Sequence, residues 1–179
     1  MSDDEKLKFK IVLGGDGAVG KTSLRKNYMG EGFDTEYLQT MGADFALFET
    51  KLDTTTIKYQ IWDLAGQPLF EEVVKGYYEG CNGAILVYDV TRPESLDNLK
   101  NWIENLFNHG GLMPIVIVGN KIDIERVVSP EAGRNFAADI SNKHGITVPY
   151  FETSALTGVN VKETFEALGK HILEKIEKD

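Results

Sequence analysis

Apolar residues along this chain fall into two alternating rhythms. Short continuous runs rich in Val and Ile occupy residues 8–13, 83–89 and 114–120, with a weaker one at 148–153. Runs of this length and composition predict strands of a parallel sheet buried on both faces. Between them the spacing becomes helical. Leu96, Leu99, Ile103 and Leu106 recur on one face of a helix opening near Pro93 and Glu94. Val161, Phe165, Leu168, Ile172 and Ile176 recur in the same way. Ser129-Pro130-Glu131 opens another helix, reaching about residue 141, with serine as cap and proline in the first turn. One region breaks the alternation. Residues 44–52 and 57–63 are strand-like and are joined by the polar turn Asp53-Thr54-Thr55-Thr56, which predicts a hairpin. The pattern is that of an α/β fold: a mostly parallel six-stranded sheet with one antiparallel strand and helices on both faces. One domain over residues 1–179 is expected, with residues 1–7 as a flexible tail.

In such a sheet the ligand site lies at the carboxyl ends of the strands. The first strand runs into Gly15-Asp16-Gly17-Ala18-Val19-Gly20-Lys21-Thr22, followed by the helix-like Ser23-Leu24-Arg25-Lys26. This is G-x-x-x-x-G-K-[ST] between a strand and a helix, the context a phosphate-binding loop requires. Glycines let the backbone turn so that successive N–H groups form an anion nest, and the following helix adds its positive end. Lys21 then reaches the β- and γ-phosphates, and the Thr22 hydroxyl is a hard oxygen ligand for Mg²⁺. Chance supplies the four fixed positions in roughly 1% of chains this long, fewer with that context.

Charge and cysteine narrow the remaining classes. The 179 residues carry 19 basic and 28 acidic side chains, a net charge of −9, which disfavours nucleic acid and anionic membrane as partners. Cys81 is the single cysteine, so no internal disulfide forms, as suits a reducing, cytoplasmic setting. The first residues have no apolar signal region and no glycine at position two, and the last have no prenylatable cysteine. No lipid anchor is expected, and a monomer is. His109, His144 and His171 make no triad or metal pattern, and Trp102 reads as core.

Two more constellations follow predicted strands. Asp63 in Asp63-Leu64-Ala65-Gly66-Gln67 can hold Mg²⁺ through water, and Gly66 lets a backbone N–H approach a γ-phosphate. In Asn120-Lys121-Ile122-Asp123 a carboxylate can accept two hydrogen bonds from guanine's ring N–H and amine, a donor pair that no edge of adenine offers. Thr153-Ser154-Ala155-Leu156 ends the last strand, where a backbone N–H can serve the guanine oxygen. Each motif is weak alone; their shared order is the signal.

Together these motifs resemble the small GTPases of the Ras superfamily, in particular the Rab branch, over about residues 8–176. The Rab flavour comes from Met41-Gly42-Ala43-Asp44-Phe45, Tyr77-Tyr78-Glu79-Gly80-Cys81 and Leu86-Val87-Tyr88-Asp89-Val90-Thr91. The resemblance implies a P-loop NTPase G domain with GTP or GDP and Mg²⁺ as cofactors. It implies nucleotide contacts from Gly15, Asp16, Gly17, Ala18, Val19, Gly20, Lys21, Thr22, Ser23, Phe33, Tyr37, Thr40, Gly66, Asn120, Lys121, Asp123, Ser154, Ala155 and Leu156. It makes Thr22, Thr40 and Asp63 the metal set, and Gln67, Lys21 and Thr40 the catalytic one, with Gln67 orienting the attacking water. The implied function is a GTP-binding switch that hydrolyses GTP slowly and binds effectors in the GTP state, in membrane traffic or signalling. Effectors would dock on the two switches and on Phe45, Trp62 and Tyr77. An exchange factor and a GTPase-activating protein are implied too, with membrane recruitment through partners. Strand parity agrees about Trp62, which shares the polar face of Lys58 and Gln60 rather than that of Ile57, Tyr59 and Ile61. No arginine in the phosphate loop or switch I is placed as a built-in finger, and a partner's arginine could add about 10³–10⁵-fold.

Departures from the family pattern matter. Gln39 precedes Thr40 where a proline is common, and Pro68 follows Gln67 where most Rab proteins have glutamate. The alternative function is therefore a nucleotide-dependent interaction module with negligible turnover. A small-molecule kinase is disfavoured, since it leaves residues 120–123 and Thr40 unexplained. Proline restricts the preceding residue to extended angles, which is expected to hold the Gln67 amide away from the in-line water; the alternative is that it preorganises Gln67, in which case Pro68→Glu slows hydrolysis. Pro68→Glu is expected to raise single-turnover GTP hydrolysis, and Gln67→Leu to change it little. A wild-type rate that is fast unaided and collapses in both variants would sink the restraint.

Overall fold

A computed structural model describes residues 6–31, 42–66 and 71–179. Six strands form one sheet: β1 (Leu7–Gly14), β2 (Ala43–Leu52), β3 (Thr55–Leu64), β4 (Gly83–Asp89), β5 (Ile115–Asn120) and β6 (Tyr150–Thr153). Their order is β2-β3-β1-β4-β5-β6, and only the β2–β3 pair is antiparallel. The helices are α1 (Lys21–Tyr28), α2 (Glu71–Tyr78), α3 (Pro93–Asp97), α4 (Leu99–Gly110), α5 (Pro130–His144) and α6 (Val161–Lys178).

Alternation along the inner strands sorts the core into two layers. On one face Phe9, Ile11, Leu13, Ile85 and Val87 meet Leu24 of α1 and Val161, Phe165, Leu168 and Ile172 of α6. On the other, Val12, Ala84, Leu86 and Tyr88 meet Leu99, Ile103 and Leu106 of α4 and Phe136, Ala137 and Ile140 of α5. All seven residues of β4 and all six of β5 are buried, as their unbroken apolar runs predict.

Boundaries differ from the sequence expectations for local reasons. Leu7, the last residue of the expected tail, pairs with Ile57 and extends β1. Thr55 and Thr56 belong to β3, opposite Leu52 and Lys51, so the turn tightens to Asp53 and Thr54 with Asp53 at φ 54. Threonine is β-branched and favours the pleated strand over the turn. The helix expected from Pro93 onward is two, with Asn98 between α3 and α4. At β6, Pro149 lacks an N–H but its carbonyl accepts from Ile117, so regular pairing begins after it.

Helix α6 seats on the sheet through Gly169. A Cβ there would lie 2.3 Å from the Tyr59 hydroxyl and 2.4 Å from Leu52 Cδ1. Tyr59 cannot retreat, because its ring is fully buried and its hydroxyl donates to the Phe165 carbonyl at 2.9 Å. Alanine for glycine in a helix interior normally stabilises. Here Gly169→Ala is expected to cost about 1–3 kcal/mol through overpacking, read as a lower urea midpoint. An unchanged or higher midpoint would contradict this packing.

Candidate functional site

Parallel register brings the expected motifs to one edge of the sheet. Leu13 lies beside Asp63, Asp89 beside Asn120, and Asn120 beside Thr153. Residues 15–22, 63–66, 120–123 and 153–156 therefore surround the carboxyl ends of β1, β3, β5 and β6, where the strand order diverges on either side of β1.

The loop after β1 is held by side chains from across this edge. Lys21 Nζ donates to the Gly15 and Asp16 carbonyls, each at 2.7 Å. Arg92 donates to the Gly17 carbonyl at 2.7 Å, Lys121 to the Ala18 carbonyl at 2.6 Å, and Asn120 to the Val19 carbonyl at 2.9 Å. Five successive carbonyls thus each accept from a side chain, and the Gly20 carbonyl starts α1 by accepting from Leu24. Because a trans peptide directs its C=O and N–H oppositely, the Ala18, Val19 and Gly20 N–H groups face away from Arg92, Lys121 and Asn120. Ala18 and Lys121 both have positive φ, 63 and 72, a costly region for side-chain-bearing residues. Two glycines are dictated by close approach. A Cβ at Gly20 would lie 2.2 Å from Asn120 Nδ2, and one at Gly66 would lie 2.0 Å from the Gly17 nitrogen.

Asn120 links the base-side motifs to this loop. Its Oδ1 accepts from Thr153 Oγ1 at 2.9 Å and from the Ala155 N–H at 3.3 Å. Ser154 Oγ donates to Asp123 Oδ1 at 2.8 Å and fixes the orientation of that exposed carboxylate. Asp89, at the end of β4, anchors the cations: its Oδ2 is 3.0 Å from Lys121 Nζ and 3.4 Å from Arg92 Nε. Burial pushes the Asp89 pKa up, but bonds from Thr91 and Lys121 outweigh it and hold it below the usual carboxylate range.

Asp63 is fully buried and accepts from the Thr22 hydroxyl, while its Oδ1 has no hydrogen-bond partner among the described residues. Burial raises its pKa despite Thr22 and the nearby Lys21 and Arg25 cations. An orphaned carboxylate oxygen beside a hydroxyl is a donor set that fits Mg²⁺. No cluster of three or more His, Cys, Asp or Glu that could hold a metal occurs among the described residues.

The Ras family pattern matches residues 10–174. The chain belongs to the Ras family of small GTPases. It is 40% identical over 173 residues to Ras-related protein Rab-8 of Diplobatis ommata, covering 95% of this chain and 80% of that protein. It is 41% identical over 171 residues to human Ras-related protein Rab-8B, covering 94% and 80%. Against Ras-related protein Rab7 of Pisum sativum it is 38% identical over 188 positions, covering 100% and 89%. Guanine-nucleotide binding and GTPase activity come with this family, and the relatives put the chain close to the Rab proteins.

Phe33, Tyr37, Thr40, Gln67 and Pro68 lie outside the described residues. The expected aromatic patch is within them: Phe45 and Trp62 ring centres are 4.7 Å apart, and Trp62 and Tyr77 5.4 Å. Trp102 corrects its reading as plain core. It is half-buried, and its Nε1 donates to Asp16 Oδ1 at 3.2 Å, while Asn98 donates to Asp16 Oδ2 at 2.7 Å. Arg92 and Arg25 had no role from sequence. Arg25 is buried with Nη2 2.9 Å from Asp44 and Nε 3.9 Å from Asp63. Asp89 carried a detectable signal, since it is a carboxylate at the end of a buried parallel strand.

Burial pulls the Lys21 pKa down to about 8, against the raising pull of Asp63 and Asp16. A phosphate bound against Lys21 raises that pKa again. The lysine's contribution to binding is then complete below pH about 8 and is lost as pH rises toward the pKa of the complex. GDP affinity in EDTA is expected to be level up to about pH 8 and then to fall by up to about tenfold per unit. Fluorescent-nucleotide titration reads this directly; a level profile to about pH 9 would contradict contact between Lys21 and phosphate.

Proposed function

We propose that this chain is a single G domain acting as a Rab-like switch, hydrolysing GTP slowly and binding effectors while GTP is held. The observation that supports this most is the Asn120 side chain, which joins the Val19 carbonyl of the phosphate loop to Thr153 and Ala155 beside the expected guanine site. A phosphate reader and a base reader joined by one amide suit a nucleotide whose two ends are recognised together.

In this reading the N–H groups of the loop and Lys21 bind the β- and γ-phosphates, and Asp123 reads guanine. Thr22, Thr40 and Asp63 would hold Mg²⁺, whose bound charge would offset that of the phosphates. Gln67 orients water toward the γ-phosphorus; as the water oxygen bonds to phosphorus the bond to the β–γ bridging oxygen breaks, a water proton passes to the released phosphate, and GDP and phosphate result. Charge developing on the leaving GDP falls on Lys21 and the loop N–H groups, so positioning and electrostatics carry the rate. Effector contact through the switches and the Phe45, Trp62 and Tyr77 patch follows, as do an exchange factor, an activating protein and recruitment of a cytoplasmic monomer to membranes through partners. No helix among the described residues is long and apolar enough to cross a membrane.

Three measurements test the reading. Single-turnover assays should show slow GTP hydrolysis, and a GTP analogue should capture proteins that GDP-loaded chain does not. Asp123→Asn should weaken GTP and favour XTP, because an amide can donate to xanthine's second carbonyl where the carboxylate accepted from guanine's amine. An unchanged GTP/XTP preference would remove the base-reading role from Asp123.

A further inference from the structure

Three adjacent carbonyls of the phosphate loop are held from the side opposite their N–H groups, and only two of the holders belong to the guanine motif. Asn120 and Lys121 hold Val19 and Ala18; Arg92, the residue before α3, holds Gly17 at 2.7 Å. We propose that Arg92 is a positioning residue for the nucleotide: its guanidinium keeps the Gly17–Ala18 peptide turned so that the Ala18 N–H faces the phosphates, and strengthens that N–H as a donor. This rests on the switch reading above.

The peptide needs holding. Gly17 has no Cβ and accepts either peptide orientation. Ala18, at φ 63, sits in a region disfavoured for alanine. Turning the Gly17–Ala18 peptide over rotates Ala18 φ by roughly 180°, toward the ordinary extended region. Local preference therefore opposes the orientation seen, and a tertiary contact must oppose local preference. Arg92 is built to make it. Its Nε lies 3.4 Å from Asp89 Oδ2, the same oxygen that pairs with Lys121. Its backbone is fixed as well: its N–H donates to the Asp89 carbonyl at 3.0 Å, and its carbonyl accepts from Ser95 Oγ at 2.6 Å. A guanidinium on a carbonyl makes a charge-assisted bond, which withdraws electron density through the peptide and makes its N–H a better donor.

The test uses the whole chain loaded with GDP or GTP. Arg92→Met keeps the stem and removes the charge. It should speed GDP dissociation about tenfold and slow single-turnover hydrolysis of pre-bound GTP, a step that affinity alone does not govern. The Ala18 amide proton resonance should move upfield in the GDP complex. Arg92→Lys should restore most of each effect, because it supplies a charged donor from nearly the same place. If Arg92→Met does not fold, Arg92→Gln against Arg92→Lys carries the same test, with slower GDP release in the lysine variant. Release rate and Ala18 resonance unchanged in the methionine and glutamine variants, in a protein whose wild type holds GDP tightly, would overturn the role of Arg92 alone. A wild type that holds no guanine nucleotide would overturn the switch reading and this inference together.

Discussion

The arrangement of this protein depends on how one loop is kept open. Between Gly15 and Val19 each backbone carbonyl accepts from a side chain, and the donors come from positions 21, 92, 120 and 121. A nest of N–H groups is a poor local minimum: its dipoles converge and Ala18 sits at positive φ. It persists because the groups on its other side are satisfied. The sheet supplies those groups, since parallel register sets the ends of β4 and β5 beside one another and close to the end of β1. Fold and site are therefore one constraint. The strands run parallel so that distant side chains can reach the same loop.

Much of this was legible in the sequence because it is local. Strand β4 has the predicted bounds, since six consecutive apolar or small residues before Asp89 have nowhere to go but a doubly covered position. The loop of residues 15–22 and the motif at 120–123 could be read from composition and spacing, because their chemistry is written in adjacent residues. Illegible were contacts set by tertiary distance. Asp16 meets Asn98 and Trp102 across more than 80 residues, and Arg92 meets Gly17 across 75. Helical spacing correctly put Trp102 near the Leu99 and Ile103 stripe, but periodicity ranks a tryptophan by its ring and says nothing of its N–H. The break at Asn98 was missed for the same reason: the apolar stripe continues across it.

Arg25 and Asp63 show a different economy. Arg25 and Asp63 are both buried here; Arg25 Nε and Asp63 Oδ1 lack hydrogen-bond partners among the described residues, and Nε stands 3.9 Å from Asp63 Oδ2. Burying charge is tolerable only when it is compensated. Asp44, exposed on β2, supplies part of that compensation to Arg25. Asp63 is compensated by Thr22, Lys21 and Arg25, and its Oδ1 has no hydrogen-bond partner among the described residues. A carboxylate in that condition is a stronger reason to expect Mg²⁺ than its place in a motif.

The lone antiparallel pair explains how two distant segments can answer to one nucleotide. A hairpin returns its chain to where it began, so the residue entering β2 and the residue leaving β3 must be neighbours. Here Ala65 donates to the Gly42 carbonyl at 2.8 Å, and Ala43 faces Leu64. Gly42 ends the stretch 37–42 in which Thr40 is expected as the switch I threonine, and Gly66 belongs with Asp63 and Gln67 to the expected start of switch II. Gly66 in turn lies so close to Gly17 that a single methyl group would collide with the loop. A parallel strand at this position would have sent one of these ends to the far side of the sheet. Reversing one strand keeps both ends on the same side of the sheet, with Gly66 against the loop of residues 15–22 and Gly42 bonded to Ala65 beside it.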